Sequence, residues 1–278
     1  MSITAKALWV IERNHERDLN LDEIAGACGV SKFHLAHAFG QSTGHTVMQY
    51  VRGRRLTEAA RKLARGAPDI LDLALESGYE SHEGFSRAFK AQFGLTPETV
   101  RTRGKTEGLS LLEPIRLDRS AEVAALRPRY EEKKGLLAVG LAAAYEFGAA
   151  EGIAGQWQRF MATIFPEIAH RLPTIPIGVA TAVDSDGAFT YVAAAEVSSA
   201  SEARADLEVV RVAPRRWAIF EHAGHITSLS QSYANIWDRW LPASGLNVAD
   251  APSLERHKPM FDPRTGSGGV DIWIPVEG

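Results

Sequence analysis

The sequence has 278 residues and a single cysteine, Cys28, so no disulfide can form within the chain. This shortage favours a reducing compartment, and Cys28 is expected to be a small buried residue. The sequence also lacks a signal-peptide pattern and any run of about 18 apolar residues, the length that a membrane span needs. We therefore expect a cytoplasmic protein with no membrane partner.

Sequence patterns typical of catalysis are also missing. There is no Ser-His-Asp order, no cysteine nucleophile in a suggestive context and no glycine-rich phosphate loop. His222 and His225 are three residues apart, but they fall on a predicted strand or turn and no cysteine or carboxylate completes a zinc set. The expectation is a protein with no metal, no cofactor and no catalytic residue.

The charge is unevenly distributed along the chain. Residues 1–105 carry 15 Lys and Arg against 12 Asp and Glu, which gives +3, whereas residues 106–278 carry −6. Five of the six tryptophans lie in the second half. The length suits two domains, and the modest positive charge of the first half is compatible with DNA binding.

One motif occurs twice in the first half of the chain. The two copies are 49 positions apart up to the glycine and 50 positions apart from Ser31 onward. The small alanine lets two helices approach closely, the glycine ends the first helix with positive φ, and the serine caps the second helix. This order predicts two helix-turn-helix units, whose second helices read DNA in the major groove. The paired markers are Ala25, Gly29, Ser31, Leu35, Phe39, Gly44 and Thr46, and Ala74, Gly78, Ser81, Phe85, Phe89, Gly94 and Thr96.

A long helix is predicted between the two units, from Val47 to Ala64. Eighteen residues span about 27 Å, which is close to the 34 Å of one DNA turn. If the helix is unbroken at Gly53, it sets two reading helices into successive major grooves, so a monomer suffices for DNA binding. This prediction requires both reading helices to be accessible on one side of the domain.

Residues 5–103 resemble the AraC-type DNA-binding domain, and within that family the stress regulators that bind DNA as monomers. The resemblance is carried by the runs 31–35, 43–45, 49–52, 55–60 and 85–90. It implies base contacts from the first reading helix through Phe33, Ala36 and His37, and from the second through His82, Glu83, Gly84, Ser86 and Arg87. The candidates for phosphate contacts are Lys32, His34, Arg52 and Arg54.

The chemistry of these side chains fits base reading in part. Arg87 can donate two hydrogen bonds to guanine, and Phe33 can contact a thymine methyl group. Glu83 can only accept when ionised, so it would suit cytosine. Several positions differ from those of the stress regulators, so the target site should differ too. Three alternatives stay open: Phe33 is a core residue, His82 caps its helix, and Arg87 is plain solvated surface.

The second half predicts an α+β domain. A polar, glycine-containing linker is expected at 105–118, between a helical domain at 1–104 and a second domain at 119–278. In the latter, two strand–helix–strand–strand units are expected, which together imply a pseudo-two-fold α+β layout. The predicted strands are 122–130, 136–144, 175–183, 189–197, 207–212, 217–222, 253–257 and 270–276, with helices at 153–169 and 229–241.

The run 217–225, the tryptophan-bearing helix after it and the closing run 271–276 resemble the GyrI-like small-molecule-binding domain. That resemblance implies an aromatic groove with a glutamate facing cationic, lipophilic ligands, and the matching residue is Glu255. Further candidates for the lining are Trp157, Tyr191, Trp217 and Trp273. The alternatives are that these aromatics form ordinary core and that Glu255 makes a surface ion pair with the basic run beside it.

The sequence therefore predicts a transcription regulator with a helical DNA-binding domain and a domain that senses a small molecule. The expected partners are double-stranded DNA and a small-molecule effector, with RNA polymerase as a further candidate. Two alternatives concern the second domain. It could be a hydrolase that uses Glu255 and Glu221 as an acid–base pair, or a module that binds a protein partner through an acidic face.

Overall fold

The computed structural model describes residues 2–67, 69–117, 126–146, 151–184, 188–262 and 265–277. The predicted end of the linker at 118 and the predicted start of the second domain at 119 lie outside these residues, as do positions 122–125 of the first predicted strand. Within the described part of the chain, no helix combines the length and the apolar character needed to cross a membrane.

The N-terminal part is helical. Two helix-turn-helix units, α2–α3 and α5–α6, flank the long helix α4, while α1 and α7 pack on either side. The helices are α1 (Ile3–Asn14), α2 (Leu21–Cys28), α3 (Lys32–Thr43), α4 (Val47–Ala64), α5 (Ile70–Glu76), α6 (His82–Phe93) and α7 (Pro97–Arg103).

The turns follow the predicted chemistry. Gly29 and Gly78 both have φ of +75°, a left-handed conformation that glycine adopts without steric cost. The hydroxyl oxygens of Ser31 and Ser81 accept hydrogen bonds from backbone N–H groups three residues later, at 3.4 Å and 3.1 Å. Because Ser81 caps α6, the alternative in which His82 is the cap is wrong.

Helix α4 is continuous through Gly53, as predicted. Its first turn is fixed by a capping box, in which Thr46 and Gln49 satisfy each other's backbone N–H groups. A side chain at position 53 would collide with Leu112, because a Cβ there would lie 2.6 Å from Leu112 Cδ2. The segment after α7 therefore packs directly on the middle of the long helix.

The C-terminal part is an α+β domain, which confirms the predicted fold class. Each of its two strand–helix–strand–strand repeats has a helix that passes into a π-helical turn, at Phe160–Ile164 and Ile236–Trp240. Its elements are β1 (Arg129–Lys133), β2 (Leu136–Tyr145), α8 (Glu151–Arg159), β3 (Ile177–Val183), β4 (Phe189–Glu196), β5 (Glu208–Val212), β6 (Arg215–His222), α9 (Leu229–Asn235), α10 (Leu241–Ser244), β7 (Asn247–Val248), β8 (Ser253–His257) and β9 (Val270–Glu277). Of the described positions of the first predicted strand, 126–130, only Arg129 and Tyr130 lie in a strand, because β1 begins at Arg129.

The strands form one sheet in the order β1-β6-β9-β8-β3-β4-β2-β5, with β7 paired to β9. The two repeats meet at the antiparallel β3–β8 pair. Only two residues connect β1 to β2, although the two strands lie near opposite ends of this order. The sheet must therefore curl until its ends approach, and Val210 and Val212 of β5 share a buried cluster with Trp217 and Ile219 of β6.

The two helix-turn-helix units are packed differently. The second unit has its own core, which includes Leu63, Phe85 and Phe89. The first unit instead shares one continuous core with the C-terminal domain, in which Leu35 and Phe39 belong to the same cluster as Phe220, Trp237 and Ile272. We call this the shared core. It places α3 directly against the sheet domain.

Candidate DNA-reading helices and effector groove

The second reading helix, α6, is open to solvent on its predicted base-reading face. His82, Glu83 and Arg87 are exposed, while Gly84 and Ser86 are half-buried. Phe85 and Phe89 point the other way into the core of the second unit. The side chains predicted to read bases are therefore presented outward as a group.

The first reading helix, α3, is covered by the C-terminal domain. Ala36 and His37 are buried, and Phe33 is half-buried against a cluster that joins Ala36 to Ala180, Phe189 and Tyr191. Helix α3 lies against α9 and β3. In this conformation α3 cannot enter a DNA groove, so the accessibility that was predicted for both helices holds for α6 alone.

Two histidines of α3 lie inside this contact. The ring of His34 is 5.4 Å from that of Trp237, and the ring of His37 is 5.3 Å from that of Phe189. Burial lowers the pKa of His34 to about 4, although the negative charge of Asp250 acts in the opposite direction. Burial, with a further contribution from His34, lowers the pKa of His37 to about 3. Both rings are therefore uncharged at neutral pH.

The predicted phosphate contacts divide into exposed and buried residues. Lys32 is exposed, with an ion pair to Asp22 at 3.0 Å, and Arg52 is exposed too. His34 and Arg54 are buried, which corrects the prediction that they contact phosphate. The guanidinium of Arg54 donates to Glu12, Glu58 and the carbonyl of Leu112, so its role is internal. The donor–acceptor distances of these bonds are 2.8–3.2 Å.

Glu255 lies on β8, on the sheet face that carries α8 and α9. Its carboxylate accepts hydrogen bonds from the hydroxyl groups of Tyr191 at 2.8 Å and Tyr233 at 3.0 Å. The indole N–H of Trp157 on α8 donates to the hydroxyl oxygen of Tyr191 at 3.2 Å. We call the region around Glu255 on this face of the sheet, where Tyr191, Tyr233 and Trp157 converge, the effector groove. The carboxylate thus lies among aromatic residues, and its two hydrogen-bond partners come from β4 and α9, with α8 contributing the donor to Tyr191.

Burial raises the pKa of Glu255 above its ordinary value, and the two tyrosine hydrogen bonds only partly oppose this shift. In the described part of the chain, no ion pair involves this carboxylate. A cation placed in the effector groove would therefore stabilise the charged form of Glu255, and the aromatic rings would offer their negative faces to it.

Two groove residues were missed by sequence reasoning. Tyr233 has the helical spacing of an ordinary core residue. Only the hydrogen bond from its hydroxyl to Glu255 shows that it belongs to the groove. Gly178 leaves room for the network, because a Cβ there would lie 2.0 Å from the hydroxyl oxygen of Tyr191 and 3.2 Å from Oε2 of Glu255. A glycine inside a strand is the available signal for such a close approach.

Trp217 and Trp273 lie away from the groove, which corrects their prediction as lining. Strand register pairs Leu254 with Trp273 and Glu255 with Ile272. Because neighbouring residues on a strand face opposite sides, Trp273 and Glu255 are on opposite faces of the sheet. Both tryptophans are buried inside the curl of the sheet with their ring centroids 5.8 Å apart. Their role is core packing.

Glu221 is also separated from Glu255. It pairs with Asp271, two residues before Trp273, so it shares the tryptophan face of the sheet. There it makes an ion pair with Lys258. The two glutamates cannot approach one substrate from opposite sides of a sheet, so the geometry does not bring the predicted acid–base pair together.

The chain thus combines a helical domain that carries two reading helices with a second domain in which a carboxylate lies among aromatic rings. This combination defines a class of protein, the DNA-binding regulators with a sensor domain. The model of the GyrI-like small molecule binding domain matches residues 127–277, and that of a helix-turn-helix domain matches residues 24–103. The chain belongs to the GyrI-like family and is an AraC-type DNA-binding transcription regulator with a GyrI-like small-molecule-binding domain.

Known relatives share this arrangement in whole or in part. The chain is 25% identical to the transcriptional regulator Rob of Salmonella typhimurium over 273 residues, which covers 95% of this chain and 93% of Rob. It is 37% identical to the multiple antibiotic resistance protein MarA of Escherichia coli over 105 residues, 38% of this chain and 83% of MarA. The structure of SAV2435 bound to tetraphenylphosphonium matches 55% of this chain and 94% of its own, with a TM-score of 0.46 and 21% identity.

Proposed function

We propose that the chain binds an asymmetric DNA site as a monomer, through α3 and α6, and that a lipophilic cation in the effector groove is its signal. The observation that carries the effector class is the carboxylate of Glu255, held by Tyr191 and Tyr233 without a cationic partner among the described residues. The presence of two reading helices on one chain supports the monomer. A regulator of this kind works where the chromosome is, which supports the cytoplasm, and RNA polymerase stays a predicted partner.

DNA reading is tested on α6, because this helix is exposed in the structure. Arg87→Ala should cost about 1–3 kcal/mol on a duplex selected from a random library by the full-length protein, and should relax the preference at one base pair. The matched control is Lys90→Ala, an exposed cation on the same helix outside the predicted base-reading residues, which should leave the preference at every base pair unchanged. An equal loss on every sequence for Arg87→Ala would assign it to phosphate, and a flat salt response of the wild type would refute DNA binding.

The effector class is tested by calorimetric titration with tetraphenylphosphonium at several pH values. This cation carries no titratable group, so pH acts on the protein alone. Glu255 binds a proton more readily than an ordinary glutamate, and the proton must leave before the cation binds well. Affinity should therefore be full where pH lies above the raised pKa of Glu255 and fall as pH drops through it. In Glu255→Gln this component of the pH dependence should vanish, and a wild-type curve that matches the variant's would contradict the assignment.

A further inference from the structure

The strongest unexplained feature is the contact between α3 and the effector groove. Helix α3 is buried from His34 to Gly40, although the resemblance to AraC-type domains implies that it reads DNA. The covering surface is the face of the sensor domain that holds Tyr191 and, one hydrogen bond away, Glu255. One segment of the chain therefore has two mutually exclusive partners, the DNA and the sensor domain.

The contact uses the side chains that would face bases. Phe33 and Ala36 belong to the predicted base-reading face, and they pack in the same cluster as Tyr191. Trp157, which donates to Tyr191, packs against this cluster too. Phe33 therefore packs against the same cluster of side chains as Tyr191 and Trp157, two members of the hydrogen-bond network around Glu255.

The contact is apolar at its centre and polar at its margin. The uncharged rings of His34 and His37 lie against Trp237 and Phe189, and the hydroxyl of Ser42 donates to the carboxylate of Asp238 near the end of α3. At the start of α4, the side-chain amide of Gln49 donates to Glu146 at 2.9 Å. These contacts hold α3 in place but supply no positive charge to Glu255.

We propose that α3 is a built-in competitor of the effector, so that an aromatic cation entering the groove displaces α3 and frees it to read DNA. This inference rests on the proposed effector site. The side chains of α3 pack on the cluster that contains Tyr191 but bring no charge to Glu255, whereas an aromatic cation supplies both aromatic contact and the cationic partner that Glu255 lacks. The ligand has this advantage only in the released state, and such differential affinity is what shifts a two-state equilibrium.

Release of α3 is measured by thiol labelling at position 36. Ala36→Cys is made in a Cys28→Ala background, so that the new thiol is the only one in the chain. Because the site is buried, labelling requires opening and its rate reports the open fraction. Saturating tetraphenylphosphonium should accelerate labelling at least tenfold, while Glu83→Cys on exposed α6 should label at an unchanged rate. Binding seen by calorimetry without acceleration at position 36 would overturn the proposal and leave the effector class standing.

A second arm removes the polar contact without touching the groove or the reading faces. Asp238→Ala deletes the sensor-domain acceptor of Ser42 and leaves its hydroxyl with the carbonyl of Ala38 in its own helix, so it should accelerate labelling at position 36 and tighten binding of the selected duplex at least threefold. Asp206→Ala, at an exposed ion pair elsewhere in the sensor domain, is the matched control and should change neither. Unchanged labelling and DNA affinity in Asp238→Ala would overturn the competition.

The two arms separate the possible failures. If tetraphenylphosphonium does not bind at all, the proposed effector class fails, and the Asp238→Ala arm still decides whether covered α3 limits DNA binding. If the cation binds and labelling accelerates, wild-type affinity for the duplex should rise at least tenfold in its presence. Equal DNA affinity with and without bound cation would refute the regulatory consequence.

Discussion

Replacing Arg54 with alanine should lower the free energy of unfolding by about 2–4 kcal/mol. Removing one partner of a buried ion pair typically costs roughly 3–5 kcal/mol, and the lower figure applies here because Glu12 keeps 25% of its side chain exposed. Burial alone would raise the pKa of Glu12, but hydrogen bonds from Arg54 and Tyr50 outweigh it and hold that pKa below its ordinary value. Without Arg54, this carboxylate loses its charged partner and the carbonyl of Leu112 loses its donor.

The matched control is Arg52→Ala, two residues earlier on α4 and exposed. It should change stability by no more than about 0.5 kcal/mol but weaken DNA binding, as loss of the phosphate contact predicted for Arg52 requires. Urea unfolding followed by tryptophan fluorescence gives the stabilities. Equal losses of stability in the two variants would show that the network around Arg54 does not support the fold.

Replacing Glu255 with glutamine should reduce the affinity for tetraphenylphosphonium by about 10- to 100-fold at neutral pH, roughly 1.4–2.7 kcal/mol. Glutamine keeps the size of the side chain and can still accept from one of the two tyrosines, so the fold of the groove should survive. What is lost is the negative charge opposite the bound cation.

Glu221→Gln is the control for this variant, because Glu221 lies on the other face of the sheet and pairs with Lys258. Its affinity for the cation should equal that of the wild type. If both variants bind as well as the wild type, the cation does not use Glu255, and if both lose affinity equally, the attraction comes from the overall charge of the domain.

Much of the helical half could be predicted because its signals are local. The residues that form a tight turn, such as Gly29 and Ser31, determine the backbone conformation and hydrogen bonds of that turn. Their effect can therefore be predicted from a few neighbouring positions of the sequence. The same holds for the continuity of α4. The sequence also indicates which face of α4 carries Arg54. Because Arg54 follows Tyr50 by four residues and Val47 by seven, it lies with them on the inward face of the helix. Reading its charge as a sign of solvent exposure led to the wrong prediction.

The groove could be predicted only in part, because it depends on pairings across distant strands. A single sequence shows that Glu255 and Trp273 alternate with their neighbours, but not which residues come opposite each other. Without that register, Trp273 could not be assigned to the far face. The covering of α3 was beyond reach for a different reason. Phe33, Ala36 and His37 are equally suited to a thymine methyl group and to the apolar surface of another domain.

Because the shared core around Trp237 spans both domains, the helical domain and the sensor domain should not unfold independently. Leu35 and Phe39 belong to the same buried cluster as Ile272, whereas Phe85 and Phe89 have neighbours of their own. A truncation at the linker would expose apolar side chains of the first helix-turn-helix unit to water and leave the core of the second unit intact. The unit that melts cooperatively should therefore join α1–α3 to the sheet, so that the second domain stabilises half of the helical domain.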